Sequence, residues 1–177
     1  WFNQSGSLHV AYSKEEWIVL NELFAQFEAE GRPISLLTAS QIAIKFPLVK
    51  QNNLLGGLFS SDELIVDPRI AVEQVSDYLT TFGGVQFLWN QTVNEVGSGY
   101  IKTGNKVLKA DKIFVCSGQD IETLFPEVFI SLPIVKCKLQ MMRMQLPLNR
   151  AIGTSVCGGL SLLHYSSFKT APSLHLL

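Results

Sequence analysis

Between Asp67 and Gly84 the chain spells out a helix with both ends marked, and a strand pattern follows it without a linker. Asp67 stands at the cap and Pro68 at the first helical position, where proline gives up only an amide that would be unpaired anyway. Val72, Val75, Leu79 and Phe82 fall on one face, and Gly83 with Gly84 stops the helix. Residues 85–96, VQFLWNQTVNEV, read as a buried strand over 85–89 that runs into polar residues. A hairpin then runs through Gly97 and Gly99 and through Gly104 and Asn105. The segment KVLKADKIFVCSG (106–118) then reads as a polar edge, a turn at Ala110 and Asp111, a buried strand over 112–116, and an elbow of small residues, Ser117 and Gly118, that lets backbone approach another group. Helix, strand, hairpin and strand in this order predict a mixed α/β layer, a sheet covered by the helix.

The flanking segments continue the alternation. SLHVAY (7–12) predicts a half-buried strand, and Ser13 with Glu16 has the S-x-x-E form of a capping box for the helix that follows. Trp17, Leu20, Phe24 and Phe27 make an apolar stripe on that helix, which Gly31 and Pro33 end. Thr38 and Gln41 repeat the box for a short helix stopping at Pro47. Residues 54–60 are apolar and glycine-rich, and 63–66 form a short strand. Beyond Gly118 the pattern predicts a short helix over 120–125, a strand over 135–145 (VKCKLQMMRMQ) and another over 158–165 (GGLSLLHY).

The 177 residues are 47% apolar and 16% charged with a net charge of -1, the profile of a globular chain rather than a disordered or nucleic-acid-binding one. No basic patch of the size that phosphate backbones require is present. The longest apolar runs fall well short of the roughly 20 residues that span a bilayer. Cys116, Cys137 and Cys157 are too far apart for a zinc knuckle and odd in number, so they read as reduced, mostly buried thiols of a cytoplasmic protein. No signal-like start is visible. Trp1 and Phe2 at one end and Leu176 and Leu177 at the other resemble mid-domain positions of a longer chain.

Motifs that carry chemistry alone are missing: no G-x-G-x-x-G, Walker loop, H-E-x-x-H, nucleophile elbow or cysteine pair occurs, so no catalytic residue and no metal ligand is assigned. His164 beside Tyr165 reads either as a solvated strand pair or as a substrate contact. Arg143 is a solvated charge or a clamp for a carboxylate or phosphonate. Met141, Met142 and Met144 are adaptable packing residues first. His9 reads as a strand histidine satisfied by one neighbour.

Four stretches together resemble a known family: SGSLHVAY (5–12), DPRIAVEQVSDYLTTFGGVQF (67–87), QTVNEV (91–96) and LKADKIFVCSGQD (108–120). In order and spacing they are similar to the middle of the FAD-dependent oxidoreductases of the D-amino acid oxidase, glycine oxidase and sarcosine oxidase superfamily. GLSLLHYSSFKTAPSL (159–174) looks like its phosphonate-associated subgroup. The resemblance implies a substrate-domain mixed sheet with helices and a partial, Rossmann-like FAD-binding portion. Residues 1–66 and 127–177 would be two parts of the substrate domain, and 67–126 the inserted piece of the FAD domain.

The implied activity is oxidation of a small amine, amino acid or aminophosphonate by hydride transfer to FAD, a reaction in which the protein orients the reacting bond and needs few acid or base groups. Val93 matches the position whose backbone meets the adenine end of FAD, and Cys116, Ser117 and Gly118 match the elbow near the dinucleotide. Family members often carry Ala where Cys116 stands. Gln140, Arg143, His164 and Tyr165 match the substrate side. The dinucleotide fingerprint does not occur in the chain, so the expectation is a fragment that holds no FAD tightly and is inactive without the preceding and following segments of the same protein. The alternatives are a non-enzymatic α/β binding or assembly module, or an enzyme of another class on the same fold.

Overall fold

The computed structural model describes residues 2–147 and 150–177. Two compact units emerge, Trp1–Asp77 with Gln145–Leu177, and Tyr78–Met144. The first carries β1 (Phe2–Asn3), β2 (Ser7–Ala11), α1 (Lys14–Ala29), β3 (Ile34–Thr38), α2 (Ala39–Lys45), β4 (Gly56–Ser60) and β5 (Ile65–Val66). Helix α3 (Pro68–Phe82) contains the division between the units. The second unit holds β6 (Val93–Gly97), β7 (Tyr100–Thr103), β8 (Lys106–Lys109) and α4 (Pro126–Phe129). The chain then returns to the first unit with β9 (Ser155–Cys157), α5 (Gly159–His164) and two short 3-10 turns. The mixed α/β class read from the sequence is what the structure has.

In the first unit a four-stranded sheet runs β3-β4-β2-β9. The pairs β3 with β4 and β4 with β2 are antiparallel, whereas β2 and β9 are parallel. Strand β2 is central, so it is buried along almost its whole length instead of half-buried. Its alternation serves two cores. Leu8 and Val10 pack with Ile42, Phe46 and Phe59, while Ala11 joins Val19, Leu20, Leu23, Phe27 and Leu162. Burying a leucine as fully as Leu8 or Leu20 contributes roughly 1.5–3 kcal/mol. Residues 56 and 57 of β4 must be small, because a Cβ on Gly56 would lie 2.5 Å from the Trp17 ring and one on Gly57 would lie 2.7 Å from the His9 carbonyl.

The helix starts form as the capping signals predict. Ser13 Oγ accepts from the Glu16 amide at 3.1 Å, and the Glu16 carboxylate accepts from the amides of Ser13 and Tyr12. Thr38 Oγ1 accepts from the Gln41 amide at 3.3 Å, and Gln41 returns the bond at 2.8 Å. The buried line of α1 is Val19, Leu20, Leu23 and Phe27, with Trp17 and Phe24 packed at its border. The Arg32 amide donates to the Phe27 carbonyl past Gly31, which sits at φ +73, and the Arg32 guanidinium lies 4.3 Å from the Phe27 ring centre.

Residues 158–165 are a helix and not the expected strand. The free edge of β2 is taken by Ser155–Cys157, anchored where the Ser155 amide and the Thr154 hydroxyl both donate to the Gly6 carbonyl. Gly158 then opens α5, which turns Leu162 into the core at 1% exposure.

The second unit departs further from the sequence reading. Helix α3 begins and ends as marked, with the Ala71 amide on the Asp67 carbonyl and the Val85 amide on the Leu79 carbonyl past Gly84. Its apolar face is nevertheless open, Val72 and Phe82 both being exposed. Residues 85–89 form no strand, and Phe87 and Trp89 stack their rings 5.0 Å apart instead. In place of the single expected hairpin stands a three-stranded meander, β6-β7-β8, whose two turns fall at the two glycine-containing pairs. Residues 112–116 and 135–145 are neither paired nor buried: Phe114 is 84% and Met142 90% exposed. Period-two alternation makes a segment competent for a sheet, but a strand also needs a neighbour for its amides and carbonyls, and among the described residues these segments have none. The expected helix over 120–125 is replaced by a turn, and α4 follows at Pro126. Cys116 and Cys137 are exposed and Cys157 half-buried, so the thiols are free but not mostly buried. Among the described residues no helix is long and apolar enough to cross a membrane.

Candidate functional site

In the second unit the meander is held by a carboxylate. Tyr100 Oη donates to Glu95 at 2.6 Å and Lys102 Nζ to Glu95 at 2.7 Å. The Lys102 bond, with that of Tyr100 behind it, holds the Glu95 carboxyl below its ordinary value, and the same contact with Glu95 raises the Tyr100 phenol. The Ala110 amide, donating to the Gly99 carbonyl, directs the chain out of β8 into the extended run 112–117. That run ends at the small-residue elbow, where the Asp120 amide donates to the Ser117 carbonyl and Gly118 takes φ +61. The Asp120 carboxylate accepts from the amides of Thr123 and Glu122, at 3.0 and 3.1 Å. Hydrogen bonds from the Thr123 side chain, then from these amides, lower its pKa.

These parts enclose an open cavity of about 360 Å³. Val93, Val96 and Ile101 of the meander form one side, the run ending in Cys116 and Ser117 another, and Asp120 and Thr123 contribute polar groups. Three of the four residues expected at the cofactor, Val93, Cys116 and Ser117, therefore line one space; Gly118 adjoins it, and a Cβ built on Gly118 would meet nothing within 4 Å. Such an arrangement, apolar walls with a few polar groups, suits a flat ring system whose edge hydrogen-bonds.

Substrate-side residues are not gathered in this way. Gln140 and Arg143 belong to the exposed, unpaired run of the second unit, and no ion pair holds Arg143 among the described residues. His164 ends α5 in the first unit, exposed. Tyr165 follows it, its ring edge-on to Phe168 at 6.0 Å, and faces a cavity of about 510 Å³ that His9, Glu63 and Cys157 also line.

His9 differs from its sequence expectation. Its Nδ1 is buried with no hydrogen-bond partner, contrary to the expectation of a satisfied strand histidine. Burial lowers its pKa below the ordinary 6.5, so the ring is neutral at pH 7. The spacing of β2 places His9 on the sheet face beside Ser7, and the parallel register pairs it with Cys157, a partner that only the unforeseen β9 supplies. Among the described residues no three His, Cys, Asp or Glu side chains converge to hold a metal ion.

The model of one protein family, DAO, described as FAD dependent oxidoreductase, matches residues 1–163. The chain belongs to this DAO family. Over about 62% of its length its fold is also that of solved oxidase and dehydrogenase structures. Glycine oxidase from Geobacillus kaustophilus superposes with a TM-score of 0.54 at 18% identity, over 62% of this chain and 30% of that one. L-proline dehydrogenase from P. horikoshii gives 0.55 at 19% identity, over 62% and 30%. Glycine oxidase from Bacillus cereus ATCC 14579 gives 0.53 at 14%, over 63% and 31%. Identities this low speak for the fold alone. The chain spans only about 30% of the length of these structures, and FAD is the cofactor of the family it belongs to.

Proposed function

We propose that these 177 residues are the middle part of a flavoenzyme that oxidises a small amine, amino acid or aminophosphonate. The family match over residues 1–163 carries this reading and favours it over a free-standing binding module. In the proposed division residues 67–126 belong to the FAD-binding domain, and 1–66 with 127–177 to the substrate domain. The phosphonate-associated subgroup is part of the proposal and rests on the wording of residues 159–174.

The residues present fit one end of FAD. Val93, Cys116 and Ser117 around a single cavity, with open space before Gly118, suit the adenosine portion. No glycine-rich loop opening a helix is available here for the pyrophosphate, so the chain alone is expected to hold FAD poorly. When bound, FAD supplies the two-electron acceptor. The contribution of this chain is to hold and orient: Cys116 and Ser117 at the cofactor, and Gln140, Arg143, His164 and Tyr165 toward the substrate, where a guanidinium suits a carboxylate or phosphonate.

The test is paired. The 177-residue chain should purify colourless and inactive, and the longer protein containing it should carry flavin and release hydrogen peroxide, or reduce a dye acceptor, with an amine from a panel of alkylamines, amino acids and aminophosphonates. Stoichiometric flavin in the short chain, or a flavin-loaded long protein inert toward the whole panel with both acceptors, would overturn the reading.

A further inference from the structure

The first unit contains a space that none of the cofactor residues touch. Two cavities, of about 320 and 510 Å³, share Ser7, His9, Glu63, Ser167 and Phe168 as lining. In the larger one Glu63 is the single charged residue of the lining, and no hydrogen bond or ion pair engages its carboxylate among the described residues. Leu64, Ile65 and Val66 give an apolar wall, and Tyr165 and Phe168, in edge-to-face contact with each other, line the same space. The cation on the smaller side, Arg32, is already committed, to Glu30 at 2.6 Å and to the Phe27 ring.

This combination selects for charge and size. An unengaged carboxylate attracts a cation, aromatic rings favour it further, and an aliphatic wall accepts a short hydrocarbon body. An anion would meet Glu63 with nothing to offset it. His9 also lines the cavity with its ring packed edge-on to Phe168, while its Nδ1 is closed off from the space.

We propose that this cavity binds a small organic cation, a protonated amine with a short hydrocarbon body. Glu63 is its counter-charge, and Tyr165 and Phe168 are its aromatic walls. As a substrate subsite it rests on the reading that this protein oxidises amines with Tyr165 on the substrate side; as a binding site it stands on the cavity alone. Glu63 lies in an exposed segment outside both hydrophobic cores, so replacing it leaves the fold intact.

The probe is ethylammonium chloride, followed by NMR on the 177-residue chain through the His9 ring and the Cys157 and Phe168 amides. Saturable shifts are expected with ethylammonium and not with ethanol or propionate at the same concentration. Glu63→Gln should weaken the binding by about tenfold, the effect of losing one charge-assisted contact. Equal shifts from ethanol, no saturation, or unchanged binding in E63Q would each overturn the proposal. In the longer flavoprotein, an amine KM raised in E63Q with kcat retained supports the subsite, whereas an unchanged KM overturns it and leaves amine oxidation standing. Ethylammonium binding together with a flavoprotein that oxidises no amine would sink the oxidase reading and spare the cavity.

Discussion

The two units of this chain are built from equally apolar sequence, and only one of them buries it. In the unit of β2 and α1, the side chains of Leu8, Val19, Leu20, Leu23 and Ile42 are removed from solvent completely. In the unit of Tyr78–Met144 no hydrophobic side chain is buried to that degree, and Phe114, Val135 and Met142 are almost fully exposed. The difference lies in partners rather than in composition. Strand β2 has a neighbour on each edge and helices over both faces, whereas residues 112–116 and 135–145 have the alternation of strands and nothing to pair with. Exposed apolar side chains in such number mark a surface suited to packing against another layer.

The contrast predicts a large asymmetry in mutational cost. Leu20→Ala in α1 should lower the unfolding free energy of the first unit by about 2–5 kcal/mol, the cost of a cavity in a closed core. Met142→Ala in the exposed run should change the unfolding free energy of the second unit by less than about 0.5 kcal/mol. Urea unfolding reads both, followed at Trp17 for the first unit and at Trp89 for the second. A Met142 variant as costly as the Leu20 variant would mean that the run is packed in solution and that the difference between the units is not real.

The same contrast explains what was legible in the sequence. Capping and turn signals hold where their partners lie within a few residues, although the short helix expected over 120–125 does not form. Ser13 with Glu16, Thr38 with Gln41, Asp67 with Pro68, and the glycines of the β6-β7-β8 meander all act within a few residues, and each does what its spacing says. Reading failed where a distant partner decides. SVC at 155–157 is too short to announce itself, yet it takes the β2 edge and so turns GGLSLLHY into a helix. The strands expected at 85–89 and 112–116 fail for the opposite reason, since their pattern is present and their partner is not. In the candidate site, Val93, Cys116 and Ser117 follow from the family resemblance and lie on either side of the β6-β7-β8 meander, whereas the grouping of His9, Glu63, Cys157 and Tyr165 depends on chain segments about 150 residues apart.

A smaller effect sharpens the comparison at a helix end. Ser13→Ala removes the hydroxyl that accepts from the Glu16 amide, leaves the first turn of α1 with an orphan donor, and should cost about 1 kcal/mol. Ser13→Asp, which restores an acceptor, should recover most of it. If alanine were neutral here, the cap would be incidental and the stability of α1 would rest on its buried face alone.

The smallest effect separates the units by pH. His9 is neutral in the native first unit because burial lowers its pKa below 6.5, while in the unfolded chain it titrates near 6.5. Between those two values the unfolded state binds more protons, so stability is fully present above about pH 6.5 and falls as pH drops, until it levels off below the native value. The groups that line the cavities with it are Arg32, Asp62, Glu63, Cys157 and Tyr165, and its own ring packs on Phe168. Glu95 in the second unit works in a different window. Held low by Lys102 and Tyr100, it contributes above its ordinary 4.5 and loses that contribution as pH falls through its native value, and its exposure makes the contribution slight and salt-sensitive. His9→Gln should therefore flatten the decline between pH 7 and pH 5.5 in urea midpoints reported by Trp17, and Glu95→Gln should not. A decline that persists unchanged in the His9 variant would move the titrating group elsewhere and leave the buried imidazole without a role in the acid sensitivity of the first unit.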